Sequence, residues 1–220
     1  MTSFKPQFFD KKNIIFLSFE GIEGSGKSTQ IKLLSDNLER HTNLKVYHFR
    51  EPGGTDFGEN LRTAMLGAKN KIAPLSEAHL FAASRCQLLT ERVIPLEGQD
   101  RSIIIYDRYI HSSIAYQGFG SGLGHQTVLS LHSQNPLNII PHLTLYLEID
   151  LETSLARQEA RNNKKDYFES KEQEFYEQVI HGFDWCKSNL PNFKTIDGSR
   201  ALDKVSSDVF QSVMEIINEK

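Results

Sequence analysis

Cysteine is nearly absent from this chain. Cys86 and Cys186 are the only two, and both fall in stretches with helical patterning. They offer neither a metal-ligand spacing nor a disulfide framework, which fits the reducing cytosol and predicts a cytoplasmic protein. Long apolar runs are missing too. The longest cover only residues 14–17 and 103–106, far short of the ~20 residues that cross a bilayer, so no membrane span is expected. Residues 1–12 are polar and charged, with no apolar centre, and read as an N-terminal extension rather than a signal peptide. No sign of charge dominates: 25 Lys and Arg face 28 Asp and Glu, for a formal net charge of −3. A general basic footprint for a nucleic-acid polymer is therefore lacking, and any phosphate recognition must come from local clusters. There is no internal repeat and no low-complexity stretch.

What is present suits one domain over residues 1–220, since 39% of the chain is hydrophobic. Short β-branched apolar runs alternate with longer helical patterns. Residues 14–19, 44–49, 102–106, 143–149 and 192–196 read as strands, the last being the weakest. Buried runs of this kind predict a parallel sheet covered on both faces. Between them, Ile31, Leu34 and Leu38 share one helical face. Leu80, Phe81, Ser84, Leu88 and Val93 lie along a second helix. Leu202, Val205, Val209, Val213 and Ile216 form a core-facing stripe on the last. The expected fold is an open α/β sandwich of five strands, with ligands beyond the carboxyl ends of the strands.

Gly21-Ile22-Glu23-Gly24-Ser25-Gly26-Lys27-Ser28 matches G-x-x-x-x-G-K-[ST] in full. A backbone that wraps a phosphate must turn tightly with its N–H groups inward, which glycine permits. Lys27 brings a positive charge to the β and γ oxygens of ATP, and Ser28 offers a hydroxyl to Mg²⁺. The following helix adds its positive dipole end. The loop follows a strand and opens a helix, as that chemistry requires.

Such a loop does not by itself separate kinases from GTPases or motor ATPases. The chain has no Asn-Lys-x-Asp tetrad for guanine and no D-x-x-G switch after the third strand. That strand ends instead in Asp107-Arg108-Tyr109. Asp107 is placed to organise Mg²⁺, and Arg108 to hold a phosphate bidentately. A small kinase fits best.

Three stretches now resemble one family. Residues 19–29, ending in Lys27-Ser28-Thr29, look like the first strand and loop of the thymidylate kinases. Arg50-Glu51-Pro52-Gly53-Gly54-Thr55 is similar to the bacterial members' second signature. Asp107-Arg108-Tyr109, Ser112-Ser113 and Ala115-Tyr116-Gln117-Gly118 are similar to the third. The resemblance covers nearly the whole chain. It implies a P-loop nucleoside monophosphate kinase fold, transfer of the γ-phosphoryl of ATP to dTMP with Mg²⁺, and a homodimer. Other nucleoside monophosphates as acceptors, or a nucleotide-binding regulator without catalysis, stand as alternatives.

The same resemblance assigns roles. Residues 21–29 hold ATP. Glu51, Arg62, Phe81, Arg85, Arg108, Ser113, Tyr116 and Gln117 bind the acceptor. Phe81 and Arg85 lie four apart on one helix, as a stacking ring and a guanidinium for a carbonyl oxygen of the pyrimidine. Glu23 acts indirectly, at the sugar or a metal-bound water. Gly24 stands where one branch of the family carries an arginine, so the transition-state cation is expected from a lid near residues 156–170, at Arg157 or Arg161. Many bacterial members carry an arginine after the lid aspartate; here Asp166 is followed by Tyr167.

Overall fold

A computed structural model describes residues 4–68, 70, 72–160 and 173–219. Five strands, β1 (Ile14–Glu20), β2 (Lys45–Arg50), β3 (Ser102–Asp107), β4 (Leu143–Glu148) and β5 (Phe193–Asp197), form one sheet in the order β2-β3-β1-β4-β5. Every pairing is parallel. Each strand end lies within one residue of the boundary read from the sequence.

The alternation of side chains along the central strands builds two cores. Ile14, Phe16, Ile104 and Tyr106 point to one face, where Leu88, Leu89, Val93 and Ile110 cover them. Ile15, Leu17, Ile103 and Ile105 point to the other, against Ile31, Leu34 and Leu38 of helix α1 (Lys27–His41) and Val205, Val209 and Val213 of the last helix. The covered-sheet expectation holds for β1, β3 and β4. It fails for β2 and β5, which lie at the sheet edges and stay half-exposed. The predicted stripe on the last helix also shortens: Leu202 is 55% exposed at its first turn.

The α-helices that follow α1 among the described residues are α2 (Asp56–Leu66), α3 (Pro74–Leu88), α4 (Ile110–Ser113), α5 (His125–Leu131), α6 (Leu151–Ala160), α7 (Gln173–Asn189) and the last, α8 (Leu202–Asn218). The α4 helix does not stop at Ser113. It widens into a π-helical stretch, Ile114–Gly120, that packs along α7. Near the N-terminus, the Gln7 amide donates to the Asn138 carbonyl, and the Ile140 amide donates to the Gln7 carbonyl, both at 2.8 Å. The extension is thus strapped onto the segment that leads into β4.

The topology fixes where a ligand sits. The chain leaves β1 toward one sheet edge and leaves β3 toward the other, and these two strands are neighbours. A crevice opens at their carboxyl ends.

Candidate active site

The phosphate loop occupies that crevice. Gly26 precedes α1 with φ +96°, no side chain caps the helix, and its first turn holds no acid. The first-turn N–H groups are left for an anion. Helix α2 shows the contrast: Thr55 accepts from the Gly58 amide at 3.0 Å, and Asp56 and Glu59 lie in its first turn. Lys27 is buried, and its Nζ donates to the carbonyls of Gly21 (2.9 Å) and Ile22 (3.1 Å) and to Ser25 Oγ (3.3 Å). Burial and the nearby Arg108 lower its pKa to about 8, against the opposing pull of Asp107, Glu23 and Glu20.

Gly24 has φ +79°, and a Cβ there would lie 3.0 Å from the Ser154 carbonyl of α6. The loop is therefore roofed by that helix. Ser154 Oγ donates to the Glu23 carbonyl at 2.6 Å.

Across the crevice, β3 delivers Asp107 and Arg108. Ser28 Oγ donates to Asp107 Oδ2 at 3.2 Å, so the predicted pair of oxygen donors does converge. Arg108 is held with φ +71°, unusual for a residue with a Cβ, while its amide donates to the Phe19 carbonyl at 3.0 Å. Its guanidinium donates to Glu23 Oε1 (2.7 Å), the Gly21 carbonyl (3.1 Å) and Ser112 Oγ (3.1 Å), and sits 4.8 Å above the Tyr116 ring. Tyr116 in turn donates to the other oxygen of Glu23 at 2.8 Å. Glu23 thus orients the arginine. Behind it the buried Glu20 accepts from the Tyr109 amide (2.8 Å) and Ser112 Oγ (2.5 Å), which fixes the turn that carries Arg108.

The far end of the crevice is built around Arg85, a fully buried guanidinium with 1% of its surface exposed. Its Nε donates to Glu51 Oε2 at 2.7 Å, one Nη to Ser113 Oγ at 3.1 Å, and the other faces His132 Nε2 at 2.6 Å. Burial opposes the Arg85 charge, but Glu51, together with Tyr109 and Glu20, more than offsets it and raises the pKa. His132 Nδ1 faces the Val128 carbonyl at 2.8 Å, and burial beside Arg85 drops its pKa to about 3. The imidazole is therefore neutral: it donates from Nδ1 and accepts at Nε2. Arg62, on α2, donates to the Pro52 carbonyl at 3.3 Å.

These groups share one cleft of about 470 Å³, large enough for a small polar ligand. Glu23, Gly24, Gly26, Lys27, Ser28 and Thr29 line its loop end. Glu51, Arg62, Phe81, Arg85, Asp107, Arg108, Ser113, Tyr116 and Gln117 line the rest. Of the other loop residues, Gly21 and Ile22 contribute carbonyls to Lys27, and Ser25 is buried against it. Arg157 lies outside this lining. Its guanidinium donates to the carbonyls of Gly24 (3.2 Å) and Gly198 (3.0 Å), pinning the loop to the turn after β5. The expectation of a cation aimed at the transferring phosphate does not fit that placement. Arg161, Tyr167 and most of the expected lid lie outside the described residues.

Sequence reasoning missed Glu20, Ser112, His132 and Glu77. An acid at the end of a wholly buried strand signals Glu20, and Ser112 stands inside the third signature. Glu77 is one turn before Phe81 on the same helix. For His132, 47 residues from Arg85, no local signal exists.

An uncapped helix behind a glycine loop, facing a cleft in which Arg85 and Arg108 are each held by a carboxylate, has the working parts of a P-loop kinase of small nucleotides. Comparison with known proteins makes the class specific. The family model for thymidylate kinase matches residues 19–209. The thymidylate kinase of Kosmotoga olearia is 36% identical over 201 residues, covering 91% of this chain and 95% of that protein. That of Anoxybacillus flavithermus is 37% identical over 209 residues, covering 93% and 99%. The crystal structure of thymidylate kinase from Ehrlichia chaffeensis superposes with a TM-score of 0.71 at 29% identity, covering 92% of this chain and 99% of the other. The chain belongs to the thymidylate kinase family.

Proposed function

We propose that the protein transfers the γ-phosphoryl group of ATP to dTMP, giving ADP and dTDP for dTTP synthesis. The observation that carries this reading is a single cleft lined together by Lys27 at the start of an uncapped helix and by Arg108, Phe81, Arg85 and Gln117.

The acceptor is a phosphate oxygen already anionic near neutral pH, so no strong base is needed. Its bond to the γ-phosphorus forms as the β,γ-bridging bond breaks, and ADP leaves. Catalysis then rests on alignment and on neutralising charge between two polyanions. Lys27 and the first-turn amides of α1 hold the donor phosphates. Arg108 carries the acceptor phosphate, with Glu23 and Tyr116 fixing its fork. Phe81 stacks on the base, while Arg85 and Gln117 contact its edge. Glu51, Ser113 and Arg62 support that end, Glu51 by holding Arg85.

Ser28 and Asp107 would hold Mg²⁺. Two converging oxygen donors suit a hard cation that takes most remaining ligands from phosphates and water, and among the described residues no cluster of three His, Cys, Asp or Glu competes for the role. When bound, the ion supplies charge neutralisation at the phosphates. The remaining transition-state cation is assigned to Arg161, with Arg157 acting through the loop. Among the described residues no helix is long and apolar enough to cross a membrane; the scarcity of cysteine supports a cytoplasmic enzyme. The family resemblance supports a homodimer, to which exposed Phe57, Leu66 and Leu75 on α2 and α3 are suited; sedimentation would measure it.

A coupled ADP-release assay over dTMP, dUMP, CMP, UMP, AMP and GMP tests the reading. The highest kcat/KM is expected with dTMP. A better acceptor of another base, or ATP binding without turnover of any acceptor, would overturn it.

A further inference from the structure

We propose that Glu77 is a positioning residue that sets which base the cleft accepts, by fixing the direction of the Gln117 amide. The inference rests on the reading of this end of the cleft as the base site.

Helix α3 carries Glu77, Phe81 and Arg85 at intervals of four, so the three lie along one stripe. The facing helical segment carries Ser113 and Gln117, again four apart. Two rungs join these stripes. One Nη of Arg85 donates to Ser113 Oγ at 3.1 Å, and Gln117 Nε2 donates to Glu77 Oε1 at 2.8 Å. Phe81 stands on α3 midway between the rungs. Glu77 and Gln117 are 3% and 1% exposed. Glu77 plays no part in the phosphate chemistry and is not among the groups that line the cleft, whereas Gln117 is.

The chemistry of the rung fixes the amide. A carboxylate only accepts hydrogen bonds, so the NH₂ end of Gln117 must face it. The reversed amide would set two acceptor oxygens 2.8 Å apart in a buried site and leave both unsatisfied. The carbonyl Oε1 of Gln117 is therefore the end available to a ligand, beside the donors of Arg85. A base read by this pair must offer a donor and a neighbouring acceptor. Thymine and uracil do so, with N3–H and O4. Cytosine presents the reverse, with an unprotonated N3 and an amino group at C4. Stacking on Phe81 does not distinguish them, so the discrimination lies in the direction of one amide, which Glu77 holds.

The test is the Glu77→Gln variant, assayed with dTMP and 5-methyl-dCMP, two acceptors that differ only at the edge in question. A glutamine at 77 both donates and accepts, so the Gln117 amide is free to turn. The ratio of kcat/KM for dTMP over 5-methyl-dCMP is expected to fall about tenfold or more, carried by KM rather than kcat, with 5-methyl-dCMP gaining in absolute terms. A soluble, normally melting variant with the wild-type ratio would overturn the proposal and leave Glu77 a packing residue. If Glu77→Gln does not fold, Glu77→Leu serves: it removes the acceptor that holds the Gln117 amide, and the ratio is again expected to fall; an unchanged ratio in that variant would sink the idea equally. A wild-type protein that does not prefer dTMP to 5-methyl-dCMP would overturn the base-site reading beneath it, which separates the two failures.

Discussion

His132 Nε2 lies 2.6 Å from a guanidinium nitrogen of Arg85, and the two are buried together. With Nδ1 given to the Val128 carbonyl, the ring has one tautomer available and serves Arg85 as a neutral acceptor. Replacing it by Phe leaves a buried charged N–H without a partner, which costs about 1–3 kcal/mol. His132→Phe is therefore expected to raise the KM for dTMP about tenfold with a smaller change in kcat. His132→Gln, which keeps an acceptor, should stay near wild type. Steady-state kinetics with both acceptor and ATP varied would check the split.

Lys27 gives the pH dependence. Its folded pKa is lowered to about 8, so the free enzyme carries the ammonium below that pH and loses it above. ATP phosphates favour the charged form, so binding above pH 8 must take up a proton. The kcat/KM for ATP is expected to fall as pH rises through about 8, with kcat falling less because bound phosphates restore the charge. Lys27→Arg should flatten that limb, since a guanidinium does not titrate there. Lys27→Ala should lower kcat by about a thousandfold. Initial rates from pH 6.5 to 9.5, with Lys27→Ala alongside, would show both.

Gly24 limits what can be engineered into the loop. With φ +79° and the Ser154 carbonyl 3.0 Å from the position of a Cβ, any side chain is strained. Gly24→Ala is expected to cost about 1–2 kcal/mol in urea denaturation. Gly24→Arg should cost more and should not raise kcat, because the roof formed by α6 must shift to admit it.

Arg157 and Arg161 are separable by the parameter they move. Arg157 ties Gly24 to Gly198, so Arg157→Ala is expected to raise the KM for ATP several-fold and lower the melting temperature. Arg161→Ala should lower kcat by about a hundredfold with little effect on melting. A kcat loss of that size in Arg157→Ala would return the catalytic role to it.

The sheet was legible because β1, β3 and β4 are buried on both faces and hence continuously apolar. The two edge strands carry Lys45, His48 and Lys194 and give a weaker signal, yet the alternation with helices still located them. The phosphate loop and the Asp107-Arg108 turn could be read because each is compact in sequence. Arg85, Glu51 and Ser113 could each be singled out as candidate site residues, but their bonds to one another, and the part of His132, could not. Glu51 is 34 residues away, His132 is 47, and only the fold brings them together. The surroundings of Arg157 were hidden for a related reason. A basic helix end predicts a cation, while the carbonyls of Gly24 and Gly198 that claim it carry no mark in the sequence.

The three bonds from Lys27 to its own loop bear on how nucleotide affinity should be understood. The ammonium has three donors, and Gly21, Ile22 and Ser25 take all of them. An arriving phosphate does not fill an unused valence; it competes in a ligand exchange. Measured ATP affinity is then the difference between two sets of partners, and part of the intrinsic attraction never appears in the dissociation constant. The same exchange keeps the cradle assembled while ADP departs, because the loop takes back its lysine as the product lets go.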